Sequence, residues 1–234
     1  MGIDNFSKIL HIDLKDYFSS MSIEEKTDYK FLSNFIMNKC GIRLNRNFVR
    51  GDYLKMEELR CLGGLQMKQY PEELAKFLVF IFNNKHRISS YCEIGSERGG
   101  TFFVIDSFLR SINENMGNSL AIDIGSKAGR NENYNQYTQK YPQASFVRIN
   151  SRSFIPEQNY DLCFIDAGHL KEDVEKDYNL MKKYSKIIAF HDIDFLEGVK
   201  EVWKSISGNK IEIRNENPMF ITPVGIGILD LEEK

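Results

Sequence analysis

The feature that most constrains this chain is a change of rhythm. From about Ser89 onward, short β-rich runs alternate with amphipathic segments, the pattern that repeated βαβ units around a mainly parallel sheet produce. The strand candidates are "SSYCEIG", "SLAIDIG", "ASFVRIN", "YDLCFIDA" and "KIIAFHD". Between the last two, Leu170, Val174, Tyr178, Met181 and Tyr184 step at helical spacing, while Lys171, Glu172, Glu175, Lys176, Lys182 and Lys183 fill a solvated face. "EGVKEVWKSI" reads as a further helix. The runs "KIEIRNE" and "VGIGILDL" are joined by a loop holding Pro218 and Pro223. That loop is too short for a crossover helix and predicts an antiparallel pair.

Residues 1–88 read differently, as an α-helical extension or cap on a sheet domain spanning 89–234. Ser22 and Glu25 form a capping box ahead of a helix through "KTDYKFLSNFIMNKC", and Pro71 suits the first turn of "PEELAKFLVFIFNNKH". No Gly/Ser/Pro-rich linker divides the two parts, so they are expected to pack as one unit.

The chain has 234 residues, 42% of them hydrophobic, enough for one substantial core. The net charge of -2 offers no broad basic field to capture nucleic acid, which favours a small or neutral partner. Cys40, Cys61, Cys92 and Cys163 form neither a CxxC pair nor a Cys/His cluster, as expected of reduced thiols in a cytoplasm. The opening "MGIDNFSKILHIDLKDYF" carries charges throughout, and no window approaches a membrane span, so a soluble cytoplasmic protein without membrane partners is expected.

In "YCEIGSERGGTFF", Gly95, Gly99 and Gly100 lie between a strand and a helix, where a backbone must turn sharply and approach a ligand without a Cβ in the way. The next strand ends on Asp123, an acidic residue able to accept hydrogen bonds from both ribose hydroxyls of a nucleoside. A dinucleotide fold would show GxGxxG. The spacing here is GxxxGG, with Glu93 two residues ahead of the first glycine.

The order E-I-G-S-x-x-G-G-T resembles the first motif of class I S-adenosylmethionine-dependent methyltransferases. The branch it resembles includes the cephalosporin-hydroxylase-like proteins and the metal-dependent sugar O-methyltransferases of macrolide tailoring. F-I-D-x-x-H before a helix, I-x-F-H-D-I, and a G-V-K-x-x-W helix are similar to that branch's later motifs, so the resemblance runs from about Tyr91 to Ile206. It implies a Rossmann-like, doubly wound α/β fold with strands in the order 3-2-1-4-5-7-6, strand seven antiparallel. By that likeness Glu93, Gly95, Ser96 and Gly99 line the methionine and ribose side, Asp123 holds the ribose, and Ser151 and Arg152 contact the adenine or the cofactor's edge.

Asp166 ends the fourth strand, with His169 three residues later, and His191 and Asp192 end the fifth. In an open α/β sheet these positions border the ligand crevice. Asp166, His191 and Asp192 are therefore candidate ligands for a divalent cation, Mg²⁺ for the carboxylates and Mn²⁺ or Fe²⁺ for the softer histidine. His169 is the candidate general base, since a pKa near 6.5 suits proton removal near neutrality. In the sugar methyltransferases that this chain resembles, a D-x-x-H pair supplies a metal ligand and the base. That branch commonly has two adjacent carboxylates where this chain has His191 and Asp192, and Asp194 is a candidate for the missing one.

Structural alternatives stay open for His191 as a strand-end histidine and His169 as a loop tether. Trp203 and Phe195 are expected in the core. Gly63, Gly64, Gln66 and Gln69 precede a helix start, where they could lie over the cofactor pocket or cap the helix. The resulting expectation is an S-adenosylmethionine-dependent, divalent-metal-assisted O-methyltransferase acting on a hydroxyl of a small molecule or glycan. The absent N/D-P-P-Y/F signature disfavours base methylation. The alternatives are a hydroxylase-like enzyme of the same branch and a non-catalytic nucleoside-binding or scaffold module. The N-terminal helices are equally suited to cover the acceptor or to build a homo-oligomer.

Overall fold

The computed structural model describes residues 10–42, 65, 67–125 and 130–232. Seven strands form one sheet: β1 (Tyr91–Ile94), β2 (Ser119–Asp123), β3 (Ala144–Arg148), β4 (Tyr160–Ile165), β5 (Ser185–His191), β6 (Asn209–Ile213) and β7 (Ile226–Asp230). Their order is β3-β2-β1-β4-β5-β7-β6, with β7 antiparallel to both of its neighbours, as expected. Every residue of the central strands β1 and β4 is buried, whereas the edge strand β3 is largely exposed.

Alternation along the strands divides the core into two layers. On one face Tyr91, Ala121, Leu162, Phe164, Ile187 and Ile228 join a cluster with the N-terminal helices α1 (Leu14–Ser20), α3 (Tyr29–Phe35) and α4 (Pro71–Asn83), and with α5 (Gly100–Ile112) and α6 (Arg130–Lys140). On the other face Cys92, Ile94, Cys163, Ile165, Ile188 and Phe190 pack against α7 (Lys171–Met181) and α8 (Glu197–Ser205). The helical extension thus buries its apolar residues in the same core as the sheet. Cys40, Cys92 and Cys163 are free, buried thiols.

The capping box at Ser22 forms, but the long helix expected after it does not. The helix α2 (Ile23–Thr27) stops at Asp28, whose carboxylate accepts the Lys30 and Phe31 N–H groups and starts α3 anew. A short polar side chain competes with the helical backbone for its own hydrogen bonds, which favours a cap over continuation. The chain then widens into a π-turn over Ile36–Cys40. Pro71 occupies the first turn of α4 as expected. Trp203 is buried as expected, whereas Phe195 is 41% exposed and belongs to the rim of a cavity rather than to the core. Among the described residues no helix is long and apolar enough to cross a membrane.

Candidate active site

A cavity of about 790 Å³ opens at the carboxyl ends of β1, β2, β4 and β5. Its first wall is the glycine turn between β1 and α5. Gly95 has φ +93°, and a Cβ there would lie 2.2 Å from the Asp166 carbonyl oxygen. The turn is stitched down by the Gly95 N–H to the Ile122 carbonyl (2.8 Å) and the Asp166 N–H to the Ile94 carbonyl (2.8 Å). Gly99, at φ +86°, caps α5 against the rings of Phe103 and Tyr134. It is the one expected cofactor residue that does not line the cavity.

Glu93, Gly95, Ser96, Gly100 and Asp123 all face the space, joined from the far side of β2 by Ser151 and Arg152. The Ser96 hydroxyl is buried with no protein partner. Asp123 already accepts the backbone N–H groups of Glu97 at 2.7 Å and Gly125 at 2.5 Å, which fixes its carboxylate at the mouth. Glu93 is buried and takes a hydrogen bond from the Tyr91 hydroxyl. Burial pushes its carboxyl up to about 8. Arg152 Nε donates to Asp173 at 2.9 Å.

The opposite wall carries Asp166, His169, His191 and Asp192. Asp192 adopts a left-handed φ of 65°, uncommon for a residue with a Cβ, so it departs from the alternation of β5. Asp192 Oδ2 then lies 3.4 Å from His169 Nε2, and Asp166 Oδ1 lies 4.0 Å from the same nitrogen. His191 Nδ1 stands 3.2 Å from Asp166 Oδ1 and 3.4 Å from Asp192 Oδ1, while its Nε2 is buried without a partner.

Burial opposes the His191 charge, but Asp166 and Asp192 overcome it and hold the imidazole well above its ordinary value. Burial likewise opposes the Asp166 charge, and His191 and His169 hold that carboxyl below its usual range. The carboxylates of Asp166 and Asp192 beside it raise His169 against the opposing effect of burial. Asp166, His169 and Asp192 each offer a ligand atom within 4.8 Å of the others, a group able to hold a metal ion. Of the expected set it contains Asp166 and Asp192, and His191 Nδ1 faces the same two carboxylates. Asp194 pairs with Arg214 at 2.7 Å and does not line the cavity.

Two further residues of the helical extension bear on this wall: Gln69 lines the cavity, and Glu73 is buried near His191. Gln69 Nε2 donates to Asp166 Oδ2 at 2.9 Å, a contact across 97 positions of sequence. Glu73, on α4, accepts the N–H groups of Asn215 (3.0 Å) and Gly225 (3.1 Å). Burial pushes its carboxyl up to about 7, against the nearby His191 charge. The amide of Gln69 was legible as a candidate, but its partner was not. Glu73 gave no signal, because it reads as an ordinary first-turn acid. Gly63, Gly64 and Gln66 lie outside the described residues.

Residues 92–193 match the model of a methyltransferase domain family. No curated protein matches the chain. Among solved structures, one that is similar is apo CalS11, a TDP-rhamnose 3'-O-methyltransferase of calicheamicin biosynthesis. It is 13% identical with a TM-score of 0.52, over 91% of this chain and 97% of that one. A human methyltransferase 10 domain containing protein is 11% identical with a TM-score of 0.52, over 71% of this chain and 84% of that one. The domain match and the fold support a methyltransferase enzyme.

Proposed function

We propose that the chain is a cytoplasmic O-methyltransferase assisted by a divalent cation, acting on a hydroxyl of a small molecule or sugar rather than on nucleic acid. Its branch on this reading is the one that includes the cephalosporin-hydroxylase-like proteins and the metal-dependent sugar O-methyltransferases. The observation that carries the proposal is the meeting of Asp166, His169 and Asp192 on the cavity wall that faces the glycine turn.

S-adenosylmethionine, when bound, supplies an electrophilic methyl group. Gly95 lets the backbone come close to it, the Ser96 hydroxyl is left to bond it, and Asp123 receives its ribose hydroxyls. A neutral alcohol is a poor nucleophile, and a cation such as Mg²⁺ or Mn²⁺ supplies the Lewis acidity that eases loss of its proton. Asp166 and Asp192 would offer such an ion two hard carboxylates, with His169 beside them. His169, raised by Asp166 and half exposed to the cavity, takes the hydroxyl proton, and the two carboxylates stabilise the imidazolium that results. His191 keeps both carboxylates in place from the buried side.

CalS11 makes nucleotide-linked deoxysugars the first acceptors to try. Transfer of a labelled methyl group to a panel of such sugars, stopped by a chelator and restored by Mn²⁺, is the expected result. Chelator-resistant transfer would refute cation assistance, and transfer to amine or carbon acceptors alone would refute the O-methyltransferase assignment.

A further inference from the structure

Gln69 is 1% exposed and is joined to the site by a single hydrogen bond, from its Nε2 to Asp166 Oδ2 at 2.9 Å. Its Oε1 is buried without a protein partner, and the side chain lines the cavity. The segment that carries it is held on both sides. The N–H groups of Leu65 and Met67 donate to the Cys40 and Gly41 carbonyls, both at 3.2 Å. The Tyr70 hydroxyl donates to the Thr222 carbonyl at 2.9 Å, and its ring stacks on Phe220 with centroids 4.5 Å apart. The amide therefore reaches Asp166 from a fixed support.

The two oxygens of Asp166 are thereby made unequal. Oδ2 accepts the Gln69 amide, while Oδ1 is hydrogen-bonded to His191 Nδ1 at 3.2 Å and is the oxygen turned toward His169, 4.0 Å from its Nε2. Cations differ in what they ask of a carboxylate. Ca²⁺ gathers about 6–8 oxygens, often taking both from one carboxylate, whereas Mg²⁺ demands near-octahedral geometry with one or two carboxylates and retained waters.

We propose that Gln69 limits Asp166 to ligation through Oδ1 alone and so makes the site select small octahedral cations, Mg²⁺ or Mn²⁺, over Ca²⁺; this rests on the cation site proposed above. The Gln69 Oε1 is left to accept from a donor that arrives with the cation, such as a water of its shell. Gln69 is on this account a positioning residue, acting through Asp166.

The test is calorimetric titration of Mn²⁺ and of Ca²⁺ into the full chain with S-adenosylhomocysteine present, for the native protein, Gln69→Met and Gln69→Leu. The native chain is expected to bind Mn²⁺ more tightly than Ca²⁺. Each variant should narrow that gap by up to about 10–100-fold, the scale on which removing an outer partner of a ligand changes metal affinity. Unchanged S-adenosylhomocysteine binding without metal confirms that the variants keep the cavity. A gap equal in native chain and variants overturns the role of Gln69 and leaves the cation site standing, as does a native preference for Ca²⁺. Absence of Mn²⁺ binding to the native chain overturns the cation site and the role of Gln69 together.

Discussion

Gly95 and Asp166 touch through their backbones: a Cβ on Gly95 would sit 2.2 Å from the Asp166 carbonyl oxygen and 2.5 Å from Ala167 Cα. The contact couples the turn expected to bind the nucleoside to the strand end that carries Asp166. Gly95→Ala would combine this clash with a φ of +93°, a region that costs a side chain about 1–3 kcal/mol. The variant is expected to lose both thermal stability and S-adenosylhomocysteine affinity, measured by calorimetry, whereas an effect on one alone would show the two walls to be independent.

His169 is the group assigned to proton removal. Positioned general bases contribute about 10²–10⁴ in rate. His169→Asn should therefore lower kcat by about that factor while S-adenosylhomocysteine binds as before. A variant that loses nucleoside binding would point to a structural histidine.

The loop carrying His169 leans on the start of α8. A Cβ at Gly198 would come within 2.3 Å of the His169 carbonyl oxygen and 2.5 Å of the Lys171 nitrogen. Gly198→Ala should displace His169 without touching the cofactor wall, and a displacement of about 1 Å can cost on the order of 10² in rate. Turnover should fall in steady-state assays while nucleoside binding holds.

Three buried carboxyls set the pH dependence of stability. Glu93 is pushed up to about 8, Glu73 to about 7 and Asp177 to about 6, in each case chiefly by burial. A carboxyl whose folded pKa lies above its unfolded value contributes fully below the unfolded value and loses that contribution as pH rises through the folded one. For Glu93 the window runs from 4.5 to about 8. The melting temperature should fall as pH is raised across it, and Glu93→Gln, which cannot ionise, should flatten the fall. Parallel curves for the two proteins would contradict the assignment.

Much of this architecture was legible because the sheet is built from local signals. Apolar runs such as "YDLCFIDA" and the short Pro218/Pro223 loop carry enough information to give strand positions and the antiparallel end, which the register of β5, β7 and β6 matches. The glycine turn was legible for a similar reason, since Gly95 stands where a backbone passes too close for a side chain. What stayed hidden depends on tertiary approach. The bond from Gln69 to Asp166 joins residues 97 positions apart. The approach of Asp192 to His169 accompanies a left-handed turn at Asp192, which strand periodicity cannot anticipate. Asp28 broke a helix that its apolar spacing otherwise supported.

The central claim is that one cavity holds a nucleoside cofactor beside a cation on Asp166 and Asp192, with His169 next to both. The most direct measurement is titration of S-adenosylhomocysteine into the purified chain, alone and with Mn²⁺, alongside Asp166→Ala. The account predicts nucleoside binding to both proteins and a separate Mn²⁺ titration that the variant lacks. Failure of the native chain to bind S-adenosylhomocysteine under any condition would contradict it.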